Sequence, residues 1–392
     1  MRKSSVNSEG FLFNGTDKKG SAHPPPLFSV PLHLGIDLTA CWRPRVGMVT
    51  VAVELTRALL SWGEVGHRFT LLCSDGCPSQ LESWSPAIIS SPSHHEMFNK
   101  LAWLPSVEAS LGADLMFYPY WPAPPWRSGK APKAVVFIHD LAFRIRPDEV
   151  PWQQRAYLGW LVPTAVRRAA AILVPSNTTR EDLLNFYPRP GLESRLHVVG
   201  EGSGLERVRG GQMPAGLKPG FILAVGTIEA RKNYHSLLAA HRLLRERGSP
   251  PPLVVVGGAG WQPSKVATDL AQDPQVRLLG HVDDETLLTL YRQASLLAFP
   301  SLYEGFGLPL LEAMQQGLPA VIGDAGSLPE LAAGTAISVE PTDVEAIADG
   351  LERVLGDKQL RDRLSQAGRR RGAEFSWQLT ALRVIKIMEG LK

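Results

Sequence analysis

The stretch Phe299-Pro300-Ser301-Leu302-Tyr303-Glu304-Gly305-Phe306-Gly307-Leu308-Pro309-Leu310-Leu311-Glu312 closes a strand, turns through glycines and opens a helix, with a carboxylate on either side of the turn. The apolar run Leu296 to Phe299 has strand character. Gly305 and Gly307 permit backbone angles that a side chain would resist, and Pro309 suits the first position of a helix, where no amide proton is needed. The open N–H groups of such a helix start, at the positive end of its dipole, stabilise an anion such as a diphosphate. The stretch reads as an anion cradle between Glu304 and Glu312, its backbone supplied by Gly305, Phe306, Gly307 and Leu308. A tight turn with surface glutamates would show the same pattern, so a second signal has to decide.

That signal is Val225-Gly226-Thr227-Ile228-Glu229-Ala230-Arg231-Lys232-Asn233, which follows the apolar run Phe221 to Ala224. Arg231 presents a planar fork to phosphate oxygens and Lys232 a compact point charge. Adjacent cations are commonly a solvated helix start. Here they follow a strand and a glycine turn, where open parallel sheets bind ligands beyond the strand carboxyl ends. His139, followed by Asp140, ends the strand-like run Val135 to Ile138. A lone histidine is usually structural, but one at the carboxyl end of a parallel strand faces the cleft. Ser176 and Asn177, after the run Ala171 to Val174, read as caps of the next helix.

These motifs together resemble those of the retaining nucleotide-sugar glycosyltransferases of the group 1 type. The resemblance rests on Glu304 and Glu312 with seven residues between them, on Gly226-Thr227 through Asn233, and on Gly280-His281-Val282-Asp283, Ser327-Leu328-Pro329-Glu330, Phe137-Ile138-His139-Asp140 and Val174-Pro175-Ser176. It implies the GT-B fold, an α/β architecture of two doubly wound Rossmann-like domains facing across a cleft. It implies further that Arg231 and Lys232, with the amides around Gly307 and Leu308, hold the diphosphate of a donor. Glu312 then accepts hydrogen bonds from the ribose, Glu304 faces the donor sugar, and His139 reaches that sugar from the first domain. Gly226 and Thr227 join the nucleotide-sugar site, Val282 flanks the base, and Gly47 approaches the phosphate or reaction centre. At Gly47 the chain departs from the pattern, with one glycine between Val46 and Met48 where many relatives carry two or more.

Composition agrees with this architecture. A chain of 392 residues suits two domains, and 44% hydrophobic residues can fill their cores. No apolar stretch reaches the ~18 residues of a membrane helix. A net charge of +3, from 41 basic and 38 acidic residues, is too balanced for a nucleic-acid binder. The cysteines Cys41, Cys73 and Cys77 suit a reducing cytoplasm better than a disulfide framework and lack metal-site spacing.

Residues 1–27, rich in Ser, Lys, Gly, Asn and Pro, have no apolar core of a signal peptide and are expected to form a disordered extension. Strand-like and helical runs then alternate over 28–210 in an acceptor-side domain, with helices near Val49 to Leu60 and Trp152 to Ala170. The Gly/Pro-rich passage 211–220 is the expected linker, and a second alternating domain follows over 221–375. In 376–392, Ser376 caps an amphipathic helix which, by the resemblance, crosses back to the first domain.

The expected activity is transfer of a hexosyl group from a nucleoside-diphosphate sugar to the hydroxyl of a glycan or lipid-linked acceptor, with retention. Similarity of the Gly226 to Asn233 segment to bacterial mannosyltransferases of surface polysaccharide assembly favours mannose, with GDP-mannose as donor. The absence of any Asp-x-Asp from the sequence implies metal independence and no cofactor. The protein is expected in the cytoplasm or at the inner membrane face. The loop 118–126 and the helix with Trp152, Arg155, Tyr157, Trp160, Arg167 and Arg168 either pack as ordinary elements or meet acceptor or an anionic membrane. A nucleotide-sugar epimerase of the same fold and a catalytically silent scaffold are the alternatives.

Overall fold

The computed structural model describes residues 31–392 apart from 42–46, 75, 85, 121, 259 and 261–264. The extension expected over 1–27 and the loop Arg43 to Val46 ahead of Gly47 lie outside the described residues. Two parallel sheets build the fold. The first holds β1 (His33–Asp37), β2 (Arg68–Cys73), β3 (Ala87–Ser90), β4 (Leu115–Tyr118), β5 (Lys133–Phe137), β6 (Ala171–Val174) and β7 (Leu196–Val198). Their order is β3-β2-β1-β4-β5-β6-β7. The second holds β8 (Ile222–Val225), β9 (Leu253–Val256), β10 (Val276–Gly280), β11 (Leu296–Phe299), β12 (Ala320–Gly323) and β13 (Ile337–Val339), ordered β10-β9-β8-β11-β12-β13.

The central strands are short apolar runs because helices cover both faces of each sheet, so every residue is buried whichever way it points. In β8, Leu223 and Val225 pack on one face while Ile222 and Ala224 pack on the other. The edge strand β3 is largely exposed, as one without an outer neighbour can be. Both sheets change direction at a switch point, between β1 and β4 in the first and between β8 and β11 in the second. In open α/β sheets a ligand crevice forms there, beyond the strand carboxyl ends.

The passage 211–220 does not run free. The Gly211 N–H donates to Glu285 O at 3.0 Å, the Arg277 guanidinium donates to Ala215 O at 2.6 Å, and Met213 and Leu217 pack on the second core. Ser376 caps the final helix, Trp377–Glu389, by accepting the Leu379 N–H. Trp377, Ala381, Val384, Ile385 and Met388 then pack in the core of the first sheet, against the helix Gly47–Leu60. Residues after the second sheet thus complete the first.

Candidate active site

The loops leaving β8 and β11 meet at the second switch point because these strands pair in parallel. Several bonds fasten the two loops. Asn233, held at a positive φ of 58°, donates its side-chain amide to the carbonyls of Pro300 at 3.0 Å and Pro341 at 2.5 Å. The Leu302 N–H donates to Arg231 O at 2.7 Å. Gly226, at φ 143°, lets the Lys232 stem pass over it, since an added Cβ would come 3.3 Å from Lys232 Cε.

Glu304 lies at the centre of this junction, 6% exposed. Its Oε1 accepts from Lys232 Nζ at 2.6 Å and its Oε2 from Arg231 Nη1 at 2.8 Å. Burial pushes the carboxyl up, but the Lys232 ammonium and the Arg231 guanidinium outweigh it and hold Glu304 below the usual carboxylate range. Burial, aided by the like charge of Arg231, draws Lys232 below its ordinary value against the pull of Glu304. For Arg231, burial is outweighed by Glu304, by Asp140 of the first domain and by Glu229, so the guanidinium stays charged. Arg231 also donates through Nε to Glu229 at 3.2 Å, and its side chain remains 26% exposed. Glu304 thus pairs with both cations and Glu229 with Arg231, so the charges balance, and the exposed edge of Arg231 is the part of the cluster open to a phosphate oxygen.

The helix expected after the glycine turn spans Leu308–Gln316, with Gly307 as its cap at φ 105°. Pro309 is its second residue, so the expected first position belongs to Leu308. Glu312 accordingly lies in the second turn of the helix and not at its start. It accepts from the Tyr291 hydroxyl at 2.8 Å, and burial pushes its carboxyl up to about 7. Phe306 is buried edge-on against Phe375 with ring centroids 5.8 Å apart, so this position offers backbone to a ligand rather than a ring. Leu308 packs against the cores of both sheets. Thr227 and Val282 are half-buried, and Asp283 beside Val282 caps the helix Asp284–Gln293 through the Thr286 N–H.

His139 arrives from the first domain and its carbonyl meets this loop. An added Cβ on Gly305 would come 2.1 Å from His139 O, so only glycine allows the approach. The imidazole Nε2 lies 2.8 Å from the Pro119 carbonyl, which can only accept, so Nε2 carries the proton. Nδ1 lies 3.6 Å from Glu201 Oε1, and the ring stacks on Phe137 at 4.6 Å between centroids. Both ring nitrogens therefore face protein atoms. Burial pushes the Glu201 carboxyl up against the pull of His139. The sequence reading passed over Glu201, although its glycine neighbours were a signal. An added Cβ on Gly202 would come 2.3 Å from Trp377 N, so the chain threads tightly past the final helix there. Gly47 opens the first helix, and among the described residues nothing lies within 4 Å of where a Cβ on it would stand.

Ser176 caps its helix as expected, accepting the Thr179 N–H at 3.1 Å. The loop 118–126 packs chiefly on its own domain, with Tyr118 and Tyr120 buried and Trp126 exposed. The cysteines are free thiols, and burial pushes Cys73 up to about 12. Among the described residues no group of three or more His, Cys, Asp or Glu side chains is placed to hold a metal ion.

The chain matches the family Glycosyltransferase Family 4 over residues 46–207 and Glycosyl transferases group 1 over residues 212–371. It is 30% identical over 260 residues to O-antigen chain mannosyltransferase B of Escherichia coli, covering 63% of this chain and 67% of that protein. The chain belongs to the group 1 glycosyltransferases. It is also 32% identical over 271 residues to the MMP alpha-(1->4)-mannosyltransferase of Mycolicibacterium hassiacum, covering 65% of this chain and 64% of that protein. The fold matches sucrose-phosphate synthase from Thermosynechococcus elongatus with a TM-score of 0.71 at 19% identity, over 92% of this chain and 99% of that one. The protein is a GT-B glycosyltransferase.

Two outcomes follow for stability. Glu304→Ala leaves the Lys232 ammonium buried without its carboxylate and is expected to cost about 3–5 kcal/mol in urea unfolding, whereas unchanged stability would mean that water reaches the site. Glu312 is protonated in the folded state up to about pH 7, against an ordinary value of 4.5. Its stabilising contribution is therefore full below pH 4.5 and is lost as pH rises through about 7. Glu312→Gln, which cannot titrate, is expected to flatten that decline, and an unchanged slope would place the titration elsewhere.

Proposed function

We propose that this glycosyltransferase moves a mannosyl group from a nucleoside-diphosphate sugar, GDP-mannose for preference, to a hydroxyl of a glycan or lipid-linked acceptor with retention. The observation that carries the donor class is the buried Glu304 shared by Arg231 and Lys232 at the switch point of the second sheet. An arriving diphosphate meets a guanidinium and an ammonium already charged and fixed, together with the helix start at Gly307 and Leu308. Such preset electrostatics commonly contributes on the order of 100- to 1000-fold per group in rate. These cationic groups and amides neutralise the leaving group, so the reaction is proposed to need no metal or cofactor.

Glu312 serves the ribose. Two hydroxyls donating to it favour the carboxylate form, so nucleotide binding expels its proton and tightens as pH rises through about 7. In the transfer step the bond from the anomeric carbon to the leaving phosphate oxygen breaks, and the acceptor oxygen bonds to the same face of that carbon. The acceptor's proton passes to the departing phosphate. In support of this front-face route, the first-domain carboxylates around the junction are engaged: Asp140 accepts the Ala142 N–H at 2.9 Å and faces Arg231, Glu201 lies beside His139, and Asp182 accepts from the Tyr303 hydroxyl at 2.7 Å. His139 sets the first-domain wall against which the donor sugar sits.

The acceptor side is argued from the helix Trp152–Arg168. It has no acidic residue, carries Arg155, Arg167 and Arg168, and exposes Trp152 and Trp160. A cavity of about 500 Å³ opens beside it, lined by Phe143, Arg144, Pro147, Trp152, Arg155 and Ala156. Aromatic faces with cations suit an anionic lipid-linked glycan, and the proposed place of work is the inner face of a membrane. Among the described residues no helix is long and apolar enough to cross one.

The test is a thermal-shift titration with GDP, UDP, ADP and their sugars. A ligand at a hundredfold excess over its Kd stabilises the native state by about 2.7 kcal/mol. A shift selective for GDP-mannose, lost in Arg231→Ala and Glu312→Ala, is expected, and turnover of that donor should give a product of unchanged anomeric configuration by NMR. No shift with any nucleotide in folded protein, or an inverted product, would overturn the proposal.

A further inference from the structure

The segment Ser327-Leu328-Pro329-Glu330 takes no part in the anion cradle, yet Glu330 crosses to the first domain. Its Oε1 accepts the Asn177 N–H at 2.9 Å and its Oε2 the Thr178 N–H at 3.1 Å. The side chains of Asn177 and Thr178 add bonds at 2.8 and 3.3 Å. These residues open the helix Asn177–Phe186. The first N–H groups of a helix have no partner within it, and a carboxylate there satisfies both the N–H groups and the dipole. The carboxylate comes from the other domain.

The Glu304 loop lies next to this junction. Ser176 Oγ, while accepting the Thr179 N–H, donates to the Gly305 carbonyl at 2.6 Å, and Thr179 Oγ1 donates to the same carbonyl at 3.3 Å. On the other side of Glu304, the Tyr303 hydroxyl donates to Asp182 of the same first-domain helix at 2.7 Å. Both neighbours of Glu304 are therefore bonded to one helix of the opposite domain. From its own domain, Ser327 is fully buried, and its hydroxyl is shared between the carbonyls of Glu304 at 3.0 Å and Phe306 at 2.8 Å. Arg371 donates to the carbonyls of Leu331 at 3.1 Å and Glu330 at 3.2 Å, which fixes the short helix Leu328–Ala332 from behind.

We infer that Glu330 and Ser176 are positioning residues, coupling the start of the first-domain helix to the loop that carries Glu304, so that the Glu304 carboxylate is in register only while the domains are bonded here. The inference deepens the donor-site reading and rests on it for its effect on turnover. A misplacement of about 1 Å in such a loop can cost on the order of 100-fold in rate.

The test uses the full chain with Glu330→Ala and reads amide hydrogen exchange without any nucleotide. Exchange is expected to rise about tenfold, the worth of one hydrogen bond to a charged group, at residues 177–180 and at 303–307 together. A rise confined to 177–180 would overturn the coupling. Ser176→Asp is the second variant, because aspartate still accepts the Thr179 N–H but has no proton for the Gly305 carbonyl. It is expected to loosen 303–307 while 177–180 stays protected, and full protection at 303–307 would overturn the inference even where Glu330→Ala does not fold. In turnover, Glu330→Ala is expected to lower kcat by about tenfold or more with nucleotide Kd within about twofold, and Glu330→Gln, which keeps one acceptor oxygen, to fall between. Wild-type kcat in Glu330→Ala would overturn it. Failure of the native chain to bind any nucleotide would sink the donor-site reading, while the exchange experiment would still decide the coupling.

Discussion

A buried carboxylate shared by two cations sets the terms for the rest of this structure. Taking Glu304, Lys232 and part of Arg231 out of water costs several kcal/mol per ion, and that cost is met only where the partners are held in place. Gly226 gives Lys232 its path, Asn233 ties the loop to the carbonyls of Pro300 and Pro341, and the pairing of β8 with β11 brings both loops to one point. The cluster is costly to hold for stability alone. The guanidinium edge it leaves open on Arg231 is suited to an anion such as a diphosphate.

The two domains meet through this loop as well as around it. Gly305 allows His139 O to approach, Leu308 packs on both cores, and the final helix returns from the second domain to seal the first. The first-domain histidine, with both ring nitrogens on protein atoms, is better placed to shape the wall of the site than to shuttle a proton.

The strands and the switch-point loops were legible in the sequence because each is a local signal. Short apolar runs end at glycine, and helix starts carry Ser, Asp or Pro, so β8, β11 and the Ser376 cap could be read from a few consecutive residues. Element bounds were less legible, and the helix bearing Glu312 begins one residue before Pro309. What the chain could not reveal was pairing at long range. Glu304 was expected to face a sugar, and its bonds to Arg231 and Lys232 span more than 70 residues of sequence. Glu330 and Asn177 stand 153 residues apart, and no local pattern announces that one caps the other's helix. Glu201 carried a local signal in its flanking glycines, but its meaning depends on His139 lying beside it.

The most direct measurement is a crystal structure of the chain with a nucleoside-diphosphate sugar bound. A diphosphate is expected on Arg231, Lys232 and the amides of Gly307 and Leu308, with the ribose hydroxyls on Glu312 and the sugar between Glu304 and His139. A nucleotide bound elsewhere, with Arg231 and Lys232 still engaged only by carboxylates of the protein, would contradict it.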